Sequence, residues 1–532
     1  MKGFATVLAA SALAFGLAGA ASAKTLVYCS EGSPQGFDPA LYTAGTTFDA
    51  SSRTVYSRLL EFKHGSTELE PGLAESYSVS DNGTVYTFKL RKGVKFGQTD
   101  FFTPTRDMNA DDVVFSFERQ LDDKNPWHSY AGGAHYEYFQ AMNFDRLIKS
   151  VEKVDDHTVK FTLNHPSAPF LADLGMDFSS IMSKEYADQL QKSGNMQDLN
   201  QKPVGTGPFE FVAYQPDAVI RYKANPDYWA GKQKIDDLVF AITPDASVRV
   251  QKLKSNECQI MAYPNAADVS GLESDPNIKV LQQAGLNVAY LAYNTIQKPF
   301  DDPNVRKALN MAVDKMAIID AVFQGAAIPA KNPIPPTMWS YNNEVKDDPY
   351  DPDKAKQMLA DAGVKDLKMN IWAMPVSRPY MLNARRAAEI IQADFAKIGV
   401  TANIVTYEWG EYLKRAADKN HDGAIMLGWT GDNGDPDNFL ATLLGCAGVG
   451  TSNNVAEWCN KKFDDLVNKA AQVTDQTERA KLYGEAQVEF KKDAPWLTID
   501  HSTVFMPMSK KVENFHQDPL GYHRFDDVDL AD

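Results

Sequence analysis

LAESYSVSDNGTVYTFKLRKGVKF, residues 73–96, reads as two strands around a tight turn. Asn82-Gly83 separates two runs in which apolar and polar side chains alternate, the pattern of a half-buried hairpin. Just downstream, Asn109 to Asp112 puts side-chain acceptors and negative charge ahead of DDVVFSFERQL. Both favour a helix N-terminus, so a helix is expected there. VEKVDDHTVKFTL (151–163) repeats the alternation around Asp155-Asp156 and reads as a second hairpin.

The pattern changes along the chain. KTLVYC (24–29) is a strand, followed by a proline- and glycine-punctuated loop, SPQGFDP. From Phe48 to Phe62 the apolar positions Val55, Leu59, Leu60 and Phe62 have helical spacing, which predicts a helix. The chain turns sharply at GTGPFEF (205–211); IDDLVFAIT (235–243) is a strand and DASVRVQKLKSNE a short helix. NVAYLAYNT (287–295) and APWLTIDHS (494–502) are apolar, strand-like runs suited to crossing between domains. Between them strands and helices alternate. VRKALNMAVDKMAIIDAVF (305–323) reads as one amphipathic helix and DPDKAKQMLADAG (351–363) as another. LKMNIWAM, ARRAAEIIQADFAKIGV and ANIVTYEW then give strand, helix and strand, which implies a partly parallel sheet. FDDLVNKAAQV and TERAKLYGEAQVEFKKD are late helices.

The ends and the composition bound the function. Residues 1–23 have a positive start at Lys2, an apolar run from Phe4 to Leu17 and the small-residue site Ala21-Ser22-Ala23. They read as a cleaved signal peptide, too short in its apolar part to span a bilayer, so a soluble, exported protein is expected. The formal net charge of −16 argues against nucleic acid and anionic lipid as partners. With 532 residues the chain exceeds one core, and two or three domains are expected. The four cysteines are Cys29, Cys258, Cys446 and Cys459, an even number in an exported chain, which favours disulfides. Spacing alone leaves three pairings open; the local pair Cys446–Cys459 with Cys29–Cys258 is the natural expectation.

Several long, irregular strings carry a resemblance. Gly72 to Phe117, GTGPFEFVAY, NPDYW (225–229) and YNTIQKPFDDPNVRKALNMAVDK, in that order, resemble the family 5 extracellular solute-binding proteins of peptide and nickel ABC transporters. MPVSRPY (374–380), TYEWGEYLKRA (406–416) and GWTGDNGDPDNF (428–439) point more closely to the dipeptide-binding branch of that family. The resemblance implies an α/β fold of two lobes, of the class II periplasmic type, joined by two crossover strands and carrying an inserted small domain. On that template lobe I takes 24–56, 186–286 and 500–532, the inserted domain 57–185, and lobe II 287–499. Each expected disulfide then lies within one lobe. The implied function is periplasmic capture of dipeptides for an inner-membrane ABC permease, by a monomer without catalytic activity, cofactor or metal. Other ligands of the family, oligopeptide, haem or nickel chelate, are the nearest alternatives.

The residues supply a physical reason. A dipeptide is a zwitterion whose charged ends stand about 7 Å apart in an extended backbone. A cavity that reads its length needs one buried anion and one buried cation. By resemblance Asp432 takes the ammonium and Arg378, in MPVSRPY, takes the carboxylate; a guanidinium fork grips a carboxylate with two parallel bonds. Trp429 walls the ligand, Gly431 lets the backbone approach, and Tyr380 bonds or packs on it. Thr43, Gly45 and Thr46, in the first-lobe loop LYTAGTTFDASS, are expected main-chain contacts.

Rival chemistries find little support. The acids of DNGDPDNF alternate as in a calcium loop, but from Asp432 the sixth and twelfth positions are Asp437 and Leu443, where an EF-hand needs glycine and an acid. The chain has no GxSxG and no HExxH, and its histidines form no close cluster, which argues against an exported hydrolase.

Overall fold

The computed structural model describes residues 23–531 apart from Asp81, Gly133 and Ala134. Residues 1–22, which carry most of the signal-peptide reading, lie outside the described residues. Among the described residues no helix is long and apolar enough to cross a membrane.

The opening hairpin forms as read. Ala74–Val79 and Val85–Leu90 pair antiparallel, with Gly83 at φ +68° in the turn between them. Val85–Leu90 also pairs with Thr158–Leu163, which pairs with Ile148–Asp155, giving a four-stranded antiparallel sheet. The helix Ala110–Leu121 covers it, starting in a capping box: Asn109 accepts from the Asp111 N–H, and Asp112 accepts from the Asn109 N–H. Phe88, Phe117, Phe161 and Phe170 meet edge-on or tilted between helix and sheet. This layer is separate from the main sheet of the molecule.

The main sheet has twelve strands in two parallel-rich halves. In one, Thr25–Ser30 runs parallel to Asp237–Ile242 on one side and to Ile260–Met261 on the other. In the other, Lys368–Trp372 runs parallel to both Thr401–Val405 and Ala424–Thr430. The halves are joined by Asn287–Tyr293 and the fourteen-residue strand Trp496–Ser509, which pair antiparallel with each other. Trp496–Ser509 belongs to both halves: its start pairs with Asn287–Tyr293, and its end with Ile278–Ala284 and Ile260–Met261. Both strands are buried nearly throughout, as expected where cover lies on both faces. Tyr290 and Trp496 stack across them at 3.8 Å between ring centroids.

Both disulfides are present: Cys29–Cys258 and Cys446–Cys459, with Cα atoms 5.7 and 4.6 Å apart. Cys29 and Cys258 sit in a small satellite core with Val250, Leu253, Met261, Leu272 and Ile278.

Two helical readings are corrected. Residues 48–62 do not form one helix: Gly45–Ala50 is a short helix and Leu60–Phe62 a strand. The intervening carbonyls are spent on distant segments. Val55 O accepts from Gly207 N, Arg58 O from Leu73 N, and Leu59 O from Ala74 N, so the i→i−4 ladder cannot form. Residues 305–323 also divide. Pro303–Met311 ends before Asp314, whose side chain caps a new helix at Lys315–Ile318, continued by a π-turn over Ile319–Phe323. Asp314 N is tied to Asp394 at 2.9 Å, which fixes the break.

Candidate functional site

In an open parallel sheet, ligands meet the loops beyond the carboxyl ends of the strands, because there the chain leaves the sheet toward open space. The relevant loops follow that rule. Arg378 lies in the loop after Lys368–Trp372, and Asp432 just beyond its parallel neighbour Ala424–Thr430. From the other half, Glu31 directly follows Thr25–Ser30, and Tyr263 follows Ile260–Met261.

Arg378 and Asp432 line the same cavity, with Thr43, Gly45, Tyr138, Tyr380, Trp409 and Trp429 also in its wall. The cavity holds about 750 Å³ of empty space, part of it continuous with solvent.

The Arg378 end is built from a tight turn. Arg378 and Met381 exchange main-chain hydrogen bonds at 3.0 Å, leaving Pro379 and Tyr380 at the tip. Ser502, on the long crossing strand, donates to Pro379 O at 2.6 Å and so anchors the turn to that strand. Tyr380 packs directly on Ala424–Thr430, and Gly428 makes this possible. A Cβ there would stand 2.3 Å from Tyr380 Cδ2 and 2.4 Å from Val288 O. Gly45 serves similarly: a Cβ on it would lie 2.9 Å from Arg378 Nη2. The guanidinium is buried, 7% exposed, between the rings of Tyr263 and Trp409, and its Nη1 donates to Glu31. Burial pushes its pKa down, and the Glu31 carboxylate, together with Tyr263, Tyr380 and Asp49, outweighs that and holds it above the ordinary value.

The Asp432 end is different. The carboxyl is buried, 6% exposed, and no cation forms an ion pair with it among the described residues. Its Oδ2 accepts from the Tyr138 hydroxyl. Its main chain is held at both ends: the N–H donates to Asn438 Oδ1 at 2.8 Å, and the carbonyl accepts from Tyr522 at 2.8 Å. Asn438 Oδ1 also accepts from Trp429 Nε1 at 3.0 Å, so one amide sets both the tryptophan and the aspartate. Burial raises the pKa of Asp432 to about 7; the Tyr138 hydroxyl and Arg53 oppose that rise and Asp177 adds to it. Arg53 also lines the cavity, but it is committed to Asp49 at 2.7 Å and Asp177 at 3.3 Å. An anion held without a matching cation is ready for a cationic ligand group.

The remaining expected contacts divide. Thr43 and Gly45 are in the cavity wall; Thr46 and Gly431 are not among its lining residues. Gly431 gives its N–H to Leu286 O at 2.8 Å, and its Cα packs where a Cβ would meet Phe439 at 2.7 Å. Its glycine is therefore explained by close packing behind the cavity. Thr46 is buried beside Gly32. Asp435 is paired with Arg479 at 2.8 Å, away from any ligand role.

Sequence reasoning did not find Glu31, Arg53, Tyr138, Tyr263 or Trp409. Position at a strand's carboxyl end is a signal that applies to Glu31 and Tyr263. Tyr138 meets Asp432 across 294 residues of chain, and no local pattern marks it.

The comparisons agree with this architecture. Residues 68–451 match the family model for bacterial extracellular solute-binding proteins, family 5 middle. The dipeptide-binding protein of Escherichia coli K12 is 56% identical over 524 residues, 98% of each chain. The structure of a Pseudoalteromonas dipeptide-binding protein in complex with Met-Leu superposes with a TM-score of 0.93 at 40% identity, covering 95% of this chain and all of that one. A periplasmic binding protein associated with an ABC transporter of Helicobacter pylori, in complex with the peptide STSA, gives a TM-score of 0.91 at 40% identity, with 96% of this chain and 98% of that chain covered.

Proposed function

The chain belongs to the bacterial extracellular solute-binding proteins of family 5, and from that premise we propose that it captures dipeptides in the periplasm and presents them to an inner-membrane ABC permease. Its part in the cycle is capture as a monomer, with the chemistry of transport left to the permease. The peptide's α-ammonium is taken by Asp432 and its carboxylate by Arg378, with Trp429 and Tyr380 walling the backbone between them. Thr43 and Gly45 meet the peptide from the other lobe. Lobe I comprises 24–56, 186–286 and 500–532, lobe II 287–499, and the inserted domain 57–185. The lobes close by rotation about the two crossing strands, and ligand contacts from both sides favour the closed form.

The observation that carries this reading is the buried Asp432 carboxyl, without an ion-pair partner among the described residues, in one cavity with a buried arginine. Support also comes from the relatives bound to Met-Leu and to STSA.

The test is calorimetric titration with dialanine, N-acetyl-dialanine and free alanine. Dialanine is expected to bind; acetylation removes the ammonium, and alanine cannot reach both ends, so both should bind at least about a hundredfold more weakly. Equal affinity for dialanine and its N-acetyl form would overturn the assignment of Asp432. Failure of dialanine to bind would overturn the function.

A further inference from the structure

The two ends of the cavity differ in how their charges are matched. Among the described residues Asp432 has no ion-pair partner, whereas Arg378 already has one. Its Nη1 donates to Oε1 of Glu31, a residue 347 positions away in the opposite half of the main sheet. Glu31 is 1% exposed, and its second oxygen, Oε2, has no hydrogen-bond partner among the described residues. The other charges nearby are committed elsewhere. Arg249 gives its donors to the carbonyls of Thr243, Pro244, Ala262 and Tyr263, at 2.7–2.9 Å. Asp49 is paired with Arg53 and His523, both at 2.7 Å. A half-satisfied buried carboxylate is costly, so its place behind Arg378 calls for a reason. A cavity built only to demand a free carboxylate would leave the guanidinium unmatched, as it leaves Asp432 unmatched at the other end.

We infer that Glu31 determines specificity for the ligand group at Arg378: it matches the guanidinium's charge before a ligand arrives, so that the cavity accepts a neutral carbonyl there as well as a carboxylate. Such ligands are peptide amides and peptides longer than two residues, whose second peptide bond lies where a dipeptide ends. This inference rests on the peptide-binding reading above. The structure has room for the longer chain. Thr43, Leu413 and Ser452 line both this cavity and a larger adjoining space of about 1760 Å³ that is shared with solvent. Thr43 is two residues from Gly45, which packs against Arg378 Nη2. The cavity therefore opens into that space along Thr43, Leu413 and Ser452.

Glu31→Gln separates charge from position. The amide oxygen still accepts from Nη1, so the guanidinium stays in place while its charge becomes unmatched. A carboxylate ligand then supplies the missing charge and an amide does not. A merely structural role for Glu31 would change affinity for both ligands equally, so the ratio of the two is the diagnostic.

The experiment is calorimetric titration of the wild-type protein and Glu31→Gln with dialanine, dialanine amide and trialanine. The affinity ratio of dialanine to its amide is expected to rise at least about tenfold in the variant, and the ratio to trialanine likewise. A dialanine-to-amide ratio that stays within about threefold of wild type, or falls, overturns the inference. Should Glu31→Gln fail to fold, the wild-type ratio decides: below about a hundredfold supports the inference, and above it overturns it. Loss of dialanine binding by the wild-type protein would sink the peptide reading itself. An unmoved ratio with dialanine binding intact would sink only the role of Glu31.

Discussion

Asp432→Asn separates what Asp432 does for the ligand from what it does to the empty protein. Burial first, and Asp177 second, carry its carboxyl from the ordinary 3.8 to about 7, against the Tyr138 hydroxyl and Arg53. Below the unfolded-state value the group is protonated in both states and contributes nothing. As pH rises toward 7 the unfolded chain loses a proton that the native protein keeps, and stability falls. Above about 7 the whole penalty is present. At about 1.4 kcal/mol per unit, the penalty is roughly 2 kcal/mol at pH 5.5 and roughly 4 kcal/mol at pH 8. Asparagine keeps an oxygen for the Tyr138 hydroxyl and carries no charge, so the ligand-free variant should be more stable than wild type by roughly those amounts. The assay is urea unfolding followed by tryptophan fluorescence at both pH values, with and without dialanine. Dialanine should shift the wild-type midpoint upward through linkage and leave the variant's midpoint unmoved. A variant that is less stable than wild type, or stabilised equally at both pH values, refutes the reasoning about an unmatched buried anion.

Other perturbations test other parts of the structure. Arg378→Ala strands the Glu31 carboxylate, so thermal unfolding should show a loss of about 3–5 kcal/mol and calorimetry a loss of dialanine binding. Gly428→Ala forces the Tyr380 ring off the strand beneath it, and the melt should show a loss of about 1–3 kcal/mol with weakened binding. Asp500 is fully buried on the long crossing strand, neither oxygen has a partner among the described residues, and burial alone pushes its pKa well above the ordinary value. Asp500→Ala should therefore stabilise the protein, more at pH 8 than at pH 5, since the unfolded chain ionises this group and the native one does not. Replacing Cys446 and Cys459 by serine opens a loop that carries Ser452 and Asn453 into the cavity wall. Denaturant titration should show a loss of about 3 kcal/mol, and dialanine should bind more weakly.

The parts of the fold that were legible in the sequence are those decided locally. Asn82-Gly83 between alternating runs, and the capping box ahead of Ala110–Leu121, carry their own signals and form as read. The misread helix over Phe48–Phe62 has a helical apolar pattern, but its carbonyls are claimed by Gly207, Leu73 and Ala74. Asp437–Leu444 was missed although Phe439, Leu440, Leu443 and Leu444 recur at helical spacing: its first residues, Asp437 and Asn438, belong to the acid- and glycine-rich loop string and are bonded inside the protein to Tyr483 and Trp429. Around the cavity, the strings that carry Arg378 and Asp432 stand out because they are long and irregular, and the structure brings both residues to one wall. Their immediate partners, Glu31 and Tyr138, lie 347 and 294 residues away. Only the assembled sheet brings the carboxyl ends of its strands together.

The matching of charge assigns different work to the two ends of the ligand. On the proposed assignment, an ammonium arriving at Asp432 adds a counter-charge to a carboxyl otherwise met by the neutral Tyr138 hydroxyl, and it removes the penalty of a buried unmatched anion. A carboxylate arriving at Arg378 meets a cation that Glu31 has already partly satisfied, so its net gain is smaller. Discrimination should therefore be steep at the amino end and shallow at the carboxyl end. The same asymmetry bears on closure. Asp432 is held by Tyr138 and Tyr522, from chain segments outside its own half of the sheet, so closing the empty cavity buries the anion. On the proposed assignment, the ammonium would offset that cost only in the closed arrangement, and such differential affinity is what a ligand needs to shift the population toward closure.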